Sequence, residues 1–108
     1  MLGITLTEDM KTLFKKLHDH YGLDHQCLVA CEECGELIQA ISKIRRNPES
    51  RISRERLLDE TADVYIMLSQ LMFLFDISEA ELSFFIKQKL DRQAGRMKAI
   101  EEDGKTNI

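Results

Sequence analysis

Five acidic residues at helical spacing are the groups in this sequence best suited to chemistry. Glu32, Glu33 and Glu36 stand in one stretch, and Glu60 and Asp63 stand in a second stretch further on. At about 100° per residue, the first three fall within an arc of about 100° on a helix, and the other two fall within about 60° on theirs. If the two helices pack antiparallel, we expect the five carboxyl groups to converge on one small volume. Such a volume suits a hard divalent cation.

The alternative reading of these acids is a solvated helix face. On such faces an acidic residue generally finds Lys or Arg four residues away. Residues at that spacing from Glu32, Glu33 and Glu36 are apolar or acidic, and in the second stretch only Glu60 has a basic residue there, Arg56. The pattern therefore favours a site for an external positive charge.

The residue types also indicate which cation would bind. Carboxylates without histidine or thiolate partners favour Mg²⁺, with Mn²⁺ as the alternative. A di-iron site of the ferritin type would need Glu-x-x-His, and no histidine here stands three residues after a glutamate. Mg²⁺ held by a few carboxylates usually completes its shell with water and substrate phosphate, which is the arrangement used for phosphoanhydride hydrolysis.

Three cysteines raise the possibility of a zinc site. Cys27, Cys31 and Cys34 share one helical face with Leu28 and Ile38. Structural zinc pairs of the Cys-x₂₋₄-Cys type usually come twice, and the sequence has no second pair. An odd number of cysteines and no secretion signal argue against a disulfide framework. We therefore expect the three thiols to behave as small buried hydrophobic groups.

Length and composition limit the class of protein. The chain has 108 residues, 44% of them apolar and 31% charged, which predicts a single domain over residues 1–108. A net charge of −4 argues against a general nucleic-acid-binding surface. The N-terminus lacks the pattern of a signal peptide, and the most apolar run, residues 64–75, is too short to span a bilayer. We expect a cytoplasmic protein without a nucleic-acid or membrane partner.

Apolar periodicity predicts an all-α fold of four helices and no strand. The predicted N-caps are Thr7, Asp24, Ser53 and Ser78, the last in a Ser-x-x-Glu capping box closed by Glu81. The helices are expected to end near Gly22, Ile44, Phe75 and Ile100. Residues 1–6 are predicted to be a short apolar lead-in, residues 47–52 a polar loop, and the chain from about residue 101 a flexible tail.

The third predicted helix indicates association. Between Val64 and Phe75 it is apolar on nearly all sides. A helix of that kind is buried on most sides, and one domain of this size can rarely cover it alone. We therefore expect a homodimer or homotetramer in which the bundle-like domain associates through this helix.

The paired acidic motif resembles a known family. Glu32-Glu33-x-x-Glu36 followed by Glu60-x-x-Asp63 is similar to the signature of the MazG-like, all-α nucleoside triphosphate pyrophosphohydrolases. The likeness covers roughly residues 27–96. It implies a Mg²⁺-dependent hydrolase that cleaves a nucleoside triphosphate to the monophosphate and pyrophosphate, and we expect the substrate to be a deoxynucleotide.

The resemblance also implies roles for individual residues. Glu33, Glu36, Glu60 and Asp63 would ligate the metal. Glu32 would be catalytic beside Glu33, orienting or deprotonating the attacking water.

Substrate phosphate is contacted in this family from the fourth helix. Lys89, Arg92 and Arg96 are the candidates here, while Asp91 stands near a position where the family often has Asn. Two other functions stay open. One is hydrolysis of phosphoribosyl-ATP on a related scaffold, and the other is a non-catalytic helical module that senses a metal or nucleotide and dimerises.

Overall fold

The computed structural model describes residues 6–106, and all the regular structure in that range is helical. The four helices are α1 (Glu8–Tyr21), α2 (Leu23–Arg46), α3 (Arg51–Leu74) and α4 (Glu79–Thr106). No strand occurs among these residues, so the predicted all-α class is confirmed. None of the described helices is long and apolar enough to cross a membrane.

Contacts divide the described residues into two compact units, one over residues 6–77 and one over residues 78–106. In the first unit, α2 and α3 form an antiparallel hairpin joined by a turn of four residues, 47–50. Gln70 donates a side-chain hydrogen bond to Gln26 at 3.3 Å, and these two residues are equally far in sequence from Pro48 in the turn. Because the connecting turn is short, the pairing of Gln26 with Gln70 fixes how the two helices align. Other residues of α2 and α3 that lie equally far from Pro48 should therefore also face each other.

Helix α1 packs against both helices of the hairpin. Phe14 of α1 is buried, and its ring lies 6.1 Å from the ring of Phe73 on α3, centroid to centroid. The other buried apolar residues of the unit are Ala30, Ala40, Met67 and Met72. Small alanines on the inner face of α2 let the backbones of the hairpin approach closely, which brings polar side chains at the same level within reach of one another.

The starts of the helices show which predicted caps form. The Thr7 hydroxyl accepts a hydrogen bond from the Met10 amide at 3.2 Å, so that cap is confirmed. Asp24 is not the cap of α2, because the helix begins at Leu23 after Gly22, whose φ of 86° is a conformation that glycine adopts readily. Ser53 is not the cap of α3 either.

The cap of α3 is Ser50, whose hydroxyl accepts from the Ser53 amide at 3.2 Å. The predicted loop over residues 47–52 is thus shorter, because α3 already begins at Arg51. At the other ends, α2 extends to Arg46 rather than Ile44, and α3 ends at Leu74. Local sequence identifies residue types that cap helices well, but Ser50 and Ser53 both stand near the start of α3. Which of them is the cap depends on how α3 aligns with α2 in the hairpin.

Helix α4 belongs to the second unit and is described by itself. Its capping box is confirmed, since the Ser78 hydroxyl accepts from the Glu81 amide at 3.1 Å and the Glu81 carboxylate accepts from the Ser78 amide at 2.9 Å. Hydrogen bonds that the Ser78 amide and hydroxyl donate to this carboxylate hold the pKa of Glu81 below its ordinary value. The helix continues to Thr106 instead of ending near Ile100. The predicted lead-in falls almost wholly outside the described residues, as do the last two residues of the predicted tail.

Several apolar side chains of α3 are exposed in the single chain. Tyr65 and Ile66 are each 51% exposed, and Phe75, which caps the C-terminal end of the helix, is 52% exposed, whereas Met67 and Met72 are buried. The helix therefore has one apolar side packed within its own unit and further apolar side chains in contact with solvent. Cys31 and Cys34 of α2 are also exposed, so the expectation that all three thiols are buried is wrong for this chain.

Candidate metal centre

Four acidic side chains meet where the middle turns of α2 and α3 face each other. Glu33 and Glu36 lie one turn apart on α2, and Glu60 and Asp63 lie one turn apart on α3. The antiparallel register places Glu33 opposite Asp63 and Glu36 opposite Glu60, each pair equally distant in sequence from Pro48. Spacing of three residues along each helix and a tight connecting turn are thus sufficient to assemble the group.

The cluster of Glu33, Glu36, Glu60 and Asp63, called the acidic cluster below, is compact. One carboxylate oxygen from each residue lies within 4.8 Å of the corresponding atoms of the other three. Glu60 is buried at 8% exposure, Glu33 and Asp63 are half-buried, and Glu36 is exposed. The cluster therefore has a buried floor on α3 and an edge accessible to solvent on α2.

Two buried oxygen atoms of the acidic cluster lack a hydrogen-bond partner. The Oε2 atoms of Glu33 and Glu60 are both buried with none. Buried polar groups in proteins are nearly always hydrogen-bonded, and an unpaired charged group is costly to bury. These two oxygens are therefore positioned for a ligand that brings positive charge.

The same crowding changes the proton affinity of the cluster. Burial raises the pKa of Glu33 above its ordinary value, and the carboxylates of Asp63 and Glu36 raise it further. Burial also raises the pKa of Glu60, and the adjacent Glu36 carboxyl group adds to this shift. Without a cation, the folded protein thus holds protons at the cluster more tightly than an exposed glutamate would.

No basic side chain compensates this charge within residues 6–106. Among the residues whose side chains are described, ion pairs join Lys11 to Glu8, Lys15 to Asp19, Arg51 to Glu55 and Lys87 to Asp91. None of them includes a member of the acidic cluster. Arg56, the one basic residue at helical spacing from Glu60, is exposed and belongs to none of these pairs. The solvated-face interpretation, which depends on neighbouring Lys or Arg, thus lacks its main support.

The donor set fits a hard divalent cation. All four candidate ligands are carboxylates, and oxygen donors of this kind are preferred by Mg²⁺ and Mn²⁺. Two of them carry buried oxygens with no other partner. The residues present therefore fit a Mg²⁺ or Mn²⁺ ion.

Glu32 is the acidic residue of the motif that does not join the cluster. It is exposed on α2, directly before Glu33. The expectation that five carboxyl groups share one volume is corrected to four, because the arc of about 100° spanned by the α2 glutamates is too wide for all of them to face α3. Glu32 lies at the solvent side of the turn that carries two cluster members.

The basic candidates lie on α4. Lys89, Arg92 and Arg96 are exposed, and no ion pair within residues 6–106 includes any of them. At about 100° per residue they share an arc of about 60° on α4. The Asp91 carboxylate accepts a hydrogen bond from Lys87 at 2.9 Å on a different side of the helix. The charge of Asp91 is thus balanced locally and does not fall among the three basic residues.

Sequence reasoning missed one polar contact in line with the cluster, the hydrogen bond between Gln26 and Gln70. Gln26 is buried, and it stands seven residues before Glu33, just as Gln70 stands seven residues after Asp63. A separation of seven residues is about two helical turns and returns to the same face. That spacing was the signal that could have paired the two glutamines.

Comparisons of the chain with protein-family models, with curated proteins and with solved structures gave no significant match.

Proposed function

We propose that this protein is a Mg²⁺-dependent nucleoside triphosphate pyrophosphohydrolase that converts a triphosphate, preferably a deoxynucleotide, to the monophosphate and pyrophosphate. The observation that carries the proposal is buried Glu60, whose Oε2 atom has no hydrogen-bond partner inside a cluster of four carboxylates. A buried oxygen of this kind is expected where a cation is bound. The resemblance of the paired motif to the MazG-like pyrophosphohydrolases then connects the cation to triphosphate hydrolysis.

The metal ligands in this proposal are Glu33, Glu36, Glu60 and Asp63. Bound Mg²⁺ would supply charge neutralisation of phosphate oxygens and a lowered pKa for a coordinated water. Glu60 and Glu33 provide the buried side of the site, where they have no competing hydrogen bond at Oε2. Exposed Glu36 leaves the opposite side open to substrate and water.

The remaining roles belong to residues outside the acidic cluster. Glu32 is exposed beside Glu33, and we assign it to orienting or deprotonating the attacking water. Lys89, Arg92 and Arg96 are assigned to substrate phosphate because the resemblance implies phosphate contacts from the fourth helix. Together these three positively charged side chains would form charge-assisted hydrogen bonds with the negatively charged triphosphate.

Association through α3 is part of the proposal. Tyr65, Ile66 and Phe75 expose about half of their surface in the single chain, and apolar exposure on this scale on one helix is usually covered by a partner. We propose a homodimer or homotetramer in which a second copy of α3 covers them.

The test is product analysis on a panel of nucleoside triphosphates with Mg²⁺. We expect pyrophosphate and monophosphate in equal amounts, with release abolished by EDTA and restored by Mg²⁺ or Mn²⁺. Orthophosphate with a diphosphate product would mean that a different bond is cleaved. Nucleotide binding without turnover would overturn the enzymatic proposal in favour of a sensing module, and turnover of phosphoribosyl-ATP alone would change the substrate.

A further inference from the structure

Two exposed thiols bracket the glutamates at the start of the acidic motif. Cys31 and Cys34 are both exposed on α2, and the two residues between them are Glu32 and Glu33. Positions three residues apart on a helix lie on neighbouring turns of the same side. The thiol pair is thus part of the turn that presents one member of the acidic cluster, Glu33, together with its neighbour Glu32.

The separation of the two positions permits a disulfide, but only with a local change of the helix. In a regular α-helix, Cα atoms three residues apart are about 5 Å apart, within the disulfide range of about 4.4–6.8 Å. Their Cβ atoms are about 5–6 Å apart, whereas a disulfide holds them at about 3.5–4.5 Å. Closing the bond must therefore draw the Cβ atoms of Cys31 and Cys34 together by about 1–2 Å. That movement twists the turn containing Glu32 and Glu33.

Gly35 makes this deformation easier. It follows Cys34 directly, and nothing packs within 4 Å of the position that a Cβ would occupy there. Glycine in a helix interior has more backbone freedom than any other residue. The twist can therefore be absorbed next to the thiol pair without extending along the rest of α2.

We propose that Cys31 and Cys34 form a reversible disulfide that switches off the acidic cluster by displacing Glu33. The switch rests on the proposed function, because it acts through metal binding. Mg²⁺ requires near-ideal octahedral geometry, so displacing one ligand by this twist weakens its binding. Exposed or strained disulfides are also the readily reduced ones, which makes the switch reversible.

The oxidant is a low-molecular-weight disulfide, and the reaction is two successive exchanges. One cysteine thiolate attacks a sulfur of the oxidant, forming a mixed disulfide and releasing one thiol. The second cysteine then attacks the cysteine sulfur of that mixed disulfide, forming the Cys31–Cys34 bond and releasing the second thiol. The two cysteines lose two electrons and two protons, and the oxidant gains them.

Cys27 provides a matched control. It is half-buried and stands four residues before Cys31, and the segment between these two contains no member of the acidic cluster. Replacing Cys27 by serine removes a third thiol while leaving both the pair and the cluster intact. The replacements Cys31→Ser and Cys34→Ser remove the pair itself.

The experiment treats the full chain with oxidised glutathione and measures its intact mass and its Mn²⁺ affinity by electron paramagnetic resonance. Wild type and Cys27→Ser should lose two hydrogen atoms in mass and at least tenfold in Mn²⁺ affinity, while keeping a cooperative thermal transition. Dithiothreitol should restore both. Cys31→Ser and Cys34→Ser should give a glutathione adduct instead of the internal link.

Three outcomes would overturn the switch. If the reduced, folded protein does not form the internal link, the Cys31–Cys34 disulfide does not exist and the switch is refuted. A complete link with unchanged Mn²⁺ affinity would remove its effect while leaving the proposed function intact. Absence of Mn²⁺ binding in the reduced protein would remove the proposed function and the switch with it, although the mass would still report the link.

Discussion

Replacing Glu36 by glutamine separates two effects of this carboxylate, its repulsion of the other acids in the acidic cluster and its binding of the metal. Without metal, Glu36 is one of four acids whose oxygens lie within 4.8 Å, and glutamine relieves that repulsion. Because Glu36 is exposed, the gain in unfolding free energy should be screened to between zero and about 1 kcal/mol. With metal, the same replacement removes a ligand.

The size of the metal effect follows from mass action. At a free Mg²⁺ concentration one hundred times its Kd, wild type should gain about 2.7 kcal/mol in unfolding free energy. For a chain of this length that corresponds to about 12 °C in Tm. If Glu36→Gln weakens binding about 100-fold, the same concentration contributes only about 0.4 kcal/mol, or about 2 °C. Asp63→Asn should behave in the same way.

Thermal melts with EDTA and with Mg²⁺, run beside a pyrophosphate-release assay, measure both effects. The matched control is Asp59→Asn, which neutralises an exposed acid on α3 outside the acidic cluster. Glu81→Gln, which affects only the capping box of α4, is a second control. Both controls should keep the Mg²⁺-dependent shift and the turnover. If Glu36→Gln also keeps them, the acidic cluster is a solvated surface and the reasoning is refuted.

Three further predictions concern pH, association and capping. The pKa values of Glu33 and Glu60 are raised in the folded state, so their contribution to stability is fully present below the ordinary value and is lost as pH rises through the folded value. The Tm of the EDTA-treated protein should therefore rise as pH falls from neutral towards the ordinary glutamate value. Excess Mg²⁺ should remove this rise, and a Tm that falls over the same range would contradict it. Light scattering of wild type should give at least twice the 12.5 kDa chain mass. The Ile66→Lys variant on α3 should give the mass of one chain. A wild-type monomer would contradict association through α3. Ser50→Ala should cost about 1 kcal/mol in urea unfolding, because the hydroxyl that caps α3 is lost, and an unchanged midpoint would contradict that role.

The acidic cluster could be predicted from sequence because helix geometry is nearly invariant. Spacing of three residues fixes Glu33 beside Glu36 and Glu60 beside Asp63, and a short turn around Pro48 leaves few registers for the two helices. Glu32 lies outside the cluster because an arc of about 100° is too wide for all three α2 glutamates to face α3. Which carboxylate is buried depends on tertiary packing. The residues next to Glu60 in the sequence do not indicate that it is the buried one.

Helix boundaries and solvent exposure were less predictable for related reasons. Ser50 and Ser53 are equally good caps by residue type, and the hairpin register decides between them. Apolar periodicity shows that a side chain such as Ile66 prefers burial. It does not show whether residues of the same chain or of a partner bury that side chain. The same limit applies to Cys31 and Cys34, whose face is apolar in sequence and exposed in the single chain.

The most direct test of the metal centre is an anomalous difference map from crystals of the protein soaked in Mn²⁺. The account predicts a peak within about 2.0–2.3 Å of oxygens from at least three of Glu33, Glu36, Glu60 and Asp63, with the Oε2 atom of Glu60 among them. Crystals of Glu60→Gln should show a weaker peak at the same place or none. A wild-type map with Mn²⁺ peaks only elsewhere, and none at the acidic cluster, would contradict the account.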